Sequence, residues 1–155
     1  MDKFRWECRT VVEFGQGKVR ETLPEFVRRY AIEGTNIMVG YGSGSVMKNG
    51  AYNDVIAALE STGYRKVDAA AASCDATTRV EGVIFEFGGI MANPTLAKMQ
   101  EGAELARRWN IGLIIAVGGG SVMDCCKGIA VQAVYDGDAW QDFWMDGIPC
   151  RKRCA

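Results

Sequence analysis

Three times along this chain a short apolar run stops at glycines and gives way to a helical pattern. Ile37-Met38-Val39 leads into Gly42-Ser43-Gly44-Ser45, Val83-Ile84-Phe85-Glu86-Phe87 into Gly88-Gly89, and Leu113–Val117 into Gly118-Gly119-Gly120. Runs so short and apolar suit strands buried on both faces, and such strands belong to parallel sheets whose crossovers are helices. The expected architecture is therefore α/β, a mostly parallel sheet flanked by helices, with right-handed connections. Each glycine loop follows a strand, so all three should open on the carboxyl edge of the sheet, where ligands of such folds bind.

The stretch from Ile114 to Lys127 carries the sharpest chemistry. A buried strand there runs through three glycines into a helix that Ser121 would cap, which aims free backbone N–H groups at whatever sits above the turn. Glycines let the backbone approach a bulky phosphate, and the helix N-terminus adds partial positive charge. A nucleotide pyrophosphate fits that environment. Ser121-x-x-Asp124 also reads as a capping box, in which the two side chains satisfy amides at the helix start. The spacing is not that of the G-x-G-x-x-G fingerprint.

Between these stretches the pattern predicts a strand over Trp6 to Phe14, then a Gly15-Gln16-Gly17-Lys18 turn and a helix entered at Thr22 or Leu23 with Pro24 in its first turn. A helix is expected from Ala51 to Ser61, where Tyr52, Val55, Ile56 and Leu59 recur at helical spacing. Thr95 should cap another, with Leu96, Met99, Ala103 and Ala106 on one face and its end near Asn110. In the last helix Val122, Cys126, Ile129, Ala130 and Ala133 share one side, which makes Cys126 a core residue and leaves Cys125 beside that face. Tyr64 to Arg79, with its run Ala69-Ala70-Ala71-Ala72-Ser73, reads as irregular.

Composition removes several function classes. The 155 residues suit one domain with one core, and the net charge of −1 provides no field for nucleic acid or a membrane surface. No apolar run approaches the ~20 residues that span a bilayer, and Met1–Glu7 lacks the apolar centre of a signal peptide, so a cytoplasmic protein is expected. Cys8, Cys74, Cys125, Cys126, Cys150 and Cys154 are irregularly spaced and expected to be free thiols. The chain has no histidine, which removes the commonest general base and metal ligand.

Taken together, Phe14–Lys18, Tyr41–Gly50, Phe87–Pro94 and Gly118–Lys127 resemble the iron-containing alcohol dehydrogenase family, most closely its butanol-dehydrogenase-like branch. The likeness runs over most of Phe14 to Trp140. It implies the Rossmann-like cofactor domain of the fold shared with dehydroquinate synthase, and a nicotinamide-dependent oxidoreductase of alcohols and aldehydes. Carried across, Gly119, Gly120 and Ser121 would hold the pyrophosphate with Asp124 and Lys127 beside it, Gly42, Ser43, Gly44 and Ser45 would flank the adenosine ribose, and Asn93 would approach from the middle loop. Neither Asp124 nor Lys127 is assigned a catalytic role, and the pair also reads as a surface ion pair. After Val39 the chain offers no acid for a ribose 2′-hydroxyl, and with Lys48 nearby this favours NADP, with NAD as the alternative.

The resemblance also has limits. The family's divalent metal, iron or zinc, is held by an aspartate and histidines of a C-terminal helical domain, so no metal is expected on this chain. Residues 1–140 read as the cofactor domain and 141–155 as the start of a link to that helical domain, a cofactor half without turnover of its own. Cys150-x-x-x-Cys154 beside three basic residues is an incomplete ligand set. Tyr64 to Arg79 is longer than the family's usual link. The competing reading is a non-catalytic nucleotide-binding or interaction module. An edge strand such as Trp6 to Phe14 could pair between subunits, which leaves a homodimer open.

Overall fold

A computed structural model describes residues 10–67 and 80–149. In chain order these form α1 (Lys18–Tyr30), β1 (Asn36–Tyr41), α2 (Ser45–Lys48), α3 (Ala51–Glu60), β2 (Arg65–Lys66), β3 (Val83–Phe87), α4 (Leu96–Arg108), β4 (Ile111–Val117), α5 (Gly120–Gln132) and a terminal π-helix (Trp140–Met145). The strands make one parallel sheet in the order β2-β3-β1-β4.

Alternation along β1 builds two cores. Ile37 and Val39 face α1 and α3, where they pack with Val27, Tyr52, Val55, Leu59, Ile84 and Leu113. Met38 faces α4 and α5 among Phe85, Phe87, Met99, Cys126 and Ile129. The expected architecture of a parallel sheet between two helical layers is present.

Two close approaches set the helix heights. A Cβ at Gly40 in β1 would lie 2.5 Å from Cys126 Sγ in α5, and one at Gly128 would lie 2.2 Å from Met99 Sδ in α4. Glycine at these positions lets α5 settle against both the sheet and its neighbouring helix. At the amino edge, buried Asn36 ties three segments together: its amide donates to the carbonyls of Val80 and Trp109 and its oxygen accepts from Val83 N–H.

Several local expectations need correction. The first helix begins at Lys18, a turn before the expected Thr22 or Leu23, because left-handed Gly17 (φ 77°) supplies its start. Pro24 therefore sits inside the helix, and the Thr22 hydroxyl donates back to the Lys18 carbonyl. Residues 10–14 form no strand; Val12 and Phe14 are exposed, and the remainder of the expected Trp6–Phe14 strand lies outside the described residues. Within the Tyr64–Arg79 stretch, Arg65 and Lys66 form an edge strand, while Ala69–Ser73 is outside the description. Cys125 is buried like Cys126, because α4 covers the flank on which it lies, and both are free thiols. Cys8, Cys74, Cys150 and Cys154 are not among the described residues.

Candidate functional site

The loops after β1, β3 and β4 meet at the carboxyl edge of the sheet. They line a cleft of about 230 Å³ with Gly42, Ser43, Ser45 and Val46 from the first, Ile90, Met91 and Ala92 from the second, and Gly118 to Val122 from the third. No charged side chain belongs to this lining.

The third loop supplies the donors. Gly119, extended at φ −84° and ψ −170°, caps α5, and its carbonyl accepts from the N–H groups of Val122 and Met123. The two amides before Val122, those of Gly120 and Ser121, precede the first intrahelical bond and remain at the cleft wall. A Cβ at Gly119 or Gly120 would meet nothing within 4 Å, so the space above these glycines is open. Gly118 is needed for another reason: a Cβ there would lie 2.7 Å from Val122.

Ser121 does not cap the helix as expected. Gly119 already occupies the cap, so the Ser121 hydroxyl lies within the first turn, where it accepts from Asn93 N–H at 3.4 Å. Asn93 is left-handed (φ 53°), which turns its amide toward α5 and links the second loop to the third. The capping box with Asp124 is not formed; that carboxylate pairs with Lys127 at 3.1 Å, both side chains well exposed.

Of the residues singled out in the sequence, Gly42, Ser43, Ser45, Gly119, Gly120 and Ser121 share the cleft. Gly44 caps α2 with open space around it, and Asn93 reaches the cleft through its bond to Ser121. Asp124 lines a separate cavity of about 160 Å³ with Cys125, Trp140 and Trp144, and neither Lys127 nor Lys48 contributes to the cleft lining.

A polar cluster behind the first two loops escaped the sequence reading. Glu86, on the α3 face of β3, pairs with Lys66 Nζ at 2.7 Å and accepts hydrogen bonds from the Tyr41 hydroxyl at 3.2 Å and from the Tyr52 hydroxyl. Lys66 also donates to the Tyr52 oxygen at 2.8 Å. Burial opposes ionisation of Glu86, but the hydrogen bonds from Lys66 and Tyr52 outweigh it and hold the carboxyl below its usual range. The bond to Glu86 chiefly raises Lys66, whereas burial first, and the adjoining carboxylate next, raise Tyr41 and Tyr52. The available signal was one carboxylate within the otherwise apolar run Val83–Phe87, which demands partners when folded.

Residues 10–154 match the family model of the iron-containing alcohol dehydrogenases. The chain is 36% identical over 143 residues to a probable NADH-dependent butanol dehydrogenase of Bacillus subtilis, covering 92% of this chain and 31% of the relative. With the NADPH-dependent aldehyde reductase YqhD of Escherichia coli it shares 30% identity over 138 residues, 87% of this chain and 28% of the relative. The crystal structure of an NADH-dependent butanol dehydrogenase A from Thermotoga maritima superposes with a TM-score of 0.78 at 29% identity, covering 99% of this chain and 33% of that one. The chain thus spans about a third of the length of the relatives it matches.

Proposed function

We propose that this chain, which belongs to the iron-containing alcohol dehydrogenase family, binds the nicotinamide dinucleotide of an alcohol or aldehyde oxidoreductase in the cleft at its carboxyl edge. The observation that carries the reading is the convergence of three strand-end loops on one uncharged cleft whose wall includes the N-terminus of α5. Gly119, Gly120 and Ser121 would hold the pyrophosphate through backbone amides, and Gly42, Ser43, Gly44 and Ser45 would flank the adenosine ribose, with Asn93 bracing the far side. Asp124 and Lys127 would stand beside the phosphates as a mutually neutralised pair. When bound, the nicotinamide supplies hydride transfer; the chain's own part is to orient it.

A lining without carboxylates admits the 2′-phosphate of NADP, our first expectation. NAD is the second reading, favoured by relatives that carry NADH in their names. The family's metal does not fit the donors of this chain. The sequence has no histidine, and among the described residues no three Cys, Asp or Glu side chains gather as a ligand set. We infer that residues 1–140 form a cofactor domain, followed by the start of a link, which binds without turning over alone.

Calorimetric titration with NADP and with NAD tests the reading. Saturable binding of either, lost in Gly120→Asp, is the expected result. The new Cβ would meet no neighbour within 4 Å, so the variant should fold and fail by repelling phosphate. A folded chain that binds neither dinucleotide would refute the proposal.

A further inference from the structure

The Glu86 cluster lies outside the cleft lining yet touches the root of two of its loops. Tyr41 is the last residue of β1, immediately before Gly42. Its carbonyl accepts the Ile90 N–H at 3.1 Å, which joins the first loop to the second. Its ring lies beneath Gly88, where a Cβ would come within 2.9 Å of Cε2 and Cζ. The ring also meets Tyr52 edge-on at 5.5 Å. Through Tyr41, Tyr52 and Lys66, one carboxylate on β3 binds the end of β1, the first turn of α3 and edge strand β2.

We infer that Glu86 is a positioning residue for the dinucleotide cleft. By fixing the Tyr41 ring, it sets the spacing between the Gly42–Ser45 loop and the Gly88–Ala92 loop. The inference rests on the proposed cofactor function. An aspartate is too short to reach both tyrosines from β3, and an alanine leaves two hydroxyls and a lysine without their common acceptor. Glutamine keeps a carbonyl oxygen for the hydroxyls and gives up the charge that faces Lys66.

The test combines affinity with amide hydrogen exchange on the full chain, using NADP and NAD as probes. Glu86→Ala should weaken binding about tenfold, the scale of one lost hydrogen bond. It should also speed exchange of the Ile90 amide while Met99, bonded to the Thr95 carbonyl on the opposite face, stays protected. Glu86→Gln should restore most of both. Tyr41→Phe, which removes one hydroxyl and keeps the ring, should reproduce a smaller shift at Ile90 even if the alanine variant does not fold. Unchanged affinity and unchanged Ile90 exchange in the folded variants would overturn the inference and leave the cofactor reading standing. So would a loss of protection spread evenly over the sheet. Absence of binding by the unsubstituted chain would overturn both.

Discussion

Gly40→Ala followed by Cys126→Ala tests how the sheet sets the height of α5, and with it the position of the cleft wall. An alanine Cβ at position 40 would stand 2.5 Å from Cys126 Sγ, while its next neighbour, Ile90 Cδ1, is at an ordinary 3.5 Å. An unstrained contact needs about 3.5–4.0 Å, so α5 or the thiol must give by about 1 Å. Overpacking of that kind costs about 1–3 kcal/mol. Cys126→Ala alone removes the sulfur and costs about 1 kcal/mol, the value of one buried methylene-sized group. In the double variant the new methyl occupies space the sulfur vacated, so it should be more stable than Gly40→Ala alone, with a coupling of about 1–3 kcal/mol. Urea unfolding followed by circular dichroism on all four proteins measures this cycle. Dinucleotide affinity should fall in Gly40→Ala and recover in the double variant. Additive energies would refute the reasoning, because they would mean that the strand and the thiol do not compete for the same space.

Asn36→Ala should cost about 3 kcal/mol, since two buried backbone groups and one half-buried carbonyl lose their partner, at about 1–3 kcal/mol for each buried one before water enters; Asn36→Asp should be no better, because it keeps the acceptor but loses both donors. Denaturant titration of the two variants checks this. Burial, more than the neighbouring Cys125, pushes the Cys126 thiol up to about 12 from an ordinary 9.0. The unfolded thiol therefore ionises first, and stability should fall as pH rises between those values; Cys126→Ala should flatten that limb of a pH–stability curve. At the acid end the sign reverses. Glu86 is held below its ordinary 4.5, so its contribution is present above that value and disappears as pH falls through the lowered one, a loss that Glu86→Gln should not show.

The elements that were legible in the sequence are those whose signal is local. Thr95 capped its helix as the pattern predicts, accepting from Lys98 N–H at 3.2 Å, and β1 runs from Asn36 to Tyr41 as its apolar run suggests. The carboxyl-edge placement of the three loops followed from chain order alone, because a parallel sheet gives every strand the same direction. Where two local signals competed, the sequence could not rank them. Thr22-Leu23-Pro24 is a good helix entrance, but a glycine with positive φ at position 17 offers an earlier one. Ser121 is a good cap, but an extended Gly119 two residues ahead takes that role.

What stayed hidden depends on contacts far apart in the chain. Asn36 reads as an ordinary strand start, yet it is bound to Val80, Val83 and Trp109, up to 73 residues away. Glu86 reads as a polar interruption in a strand, yet β2, which supplies its cation, has only two residues and no strand signature. The two cases share a logic. A polar side chain in an apolar run is expensive unless partners are brought to it, so its presence announces a tertiary constraint without naming the partners. At Asn36 the constraint pins the amino edge, where the strands begin. At Glu86 it pins the carboxyl edge, directly behind the glycine loops. Glycines leave those loops open but give them no stiffness of their own; part of the rigidity comes from residues outside the cleft lining, and Tyr41, held by Glu86, is where the structure provides it.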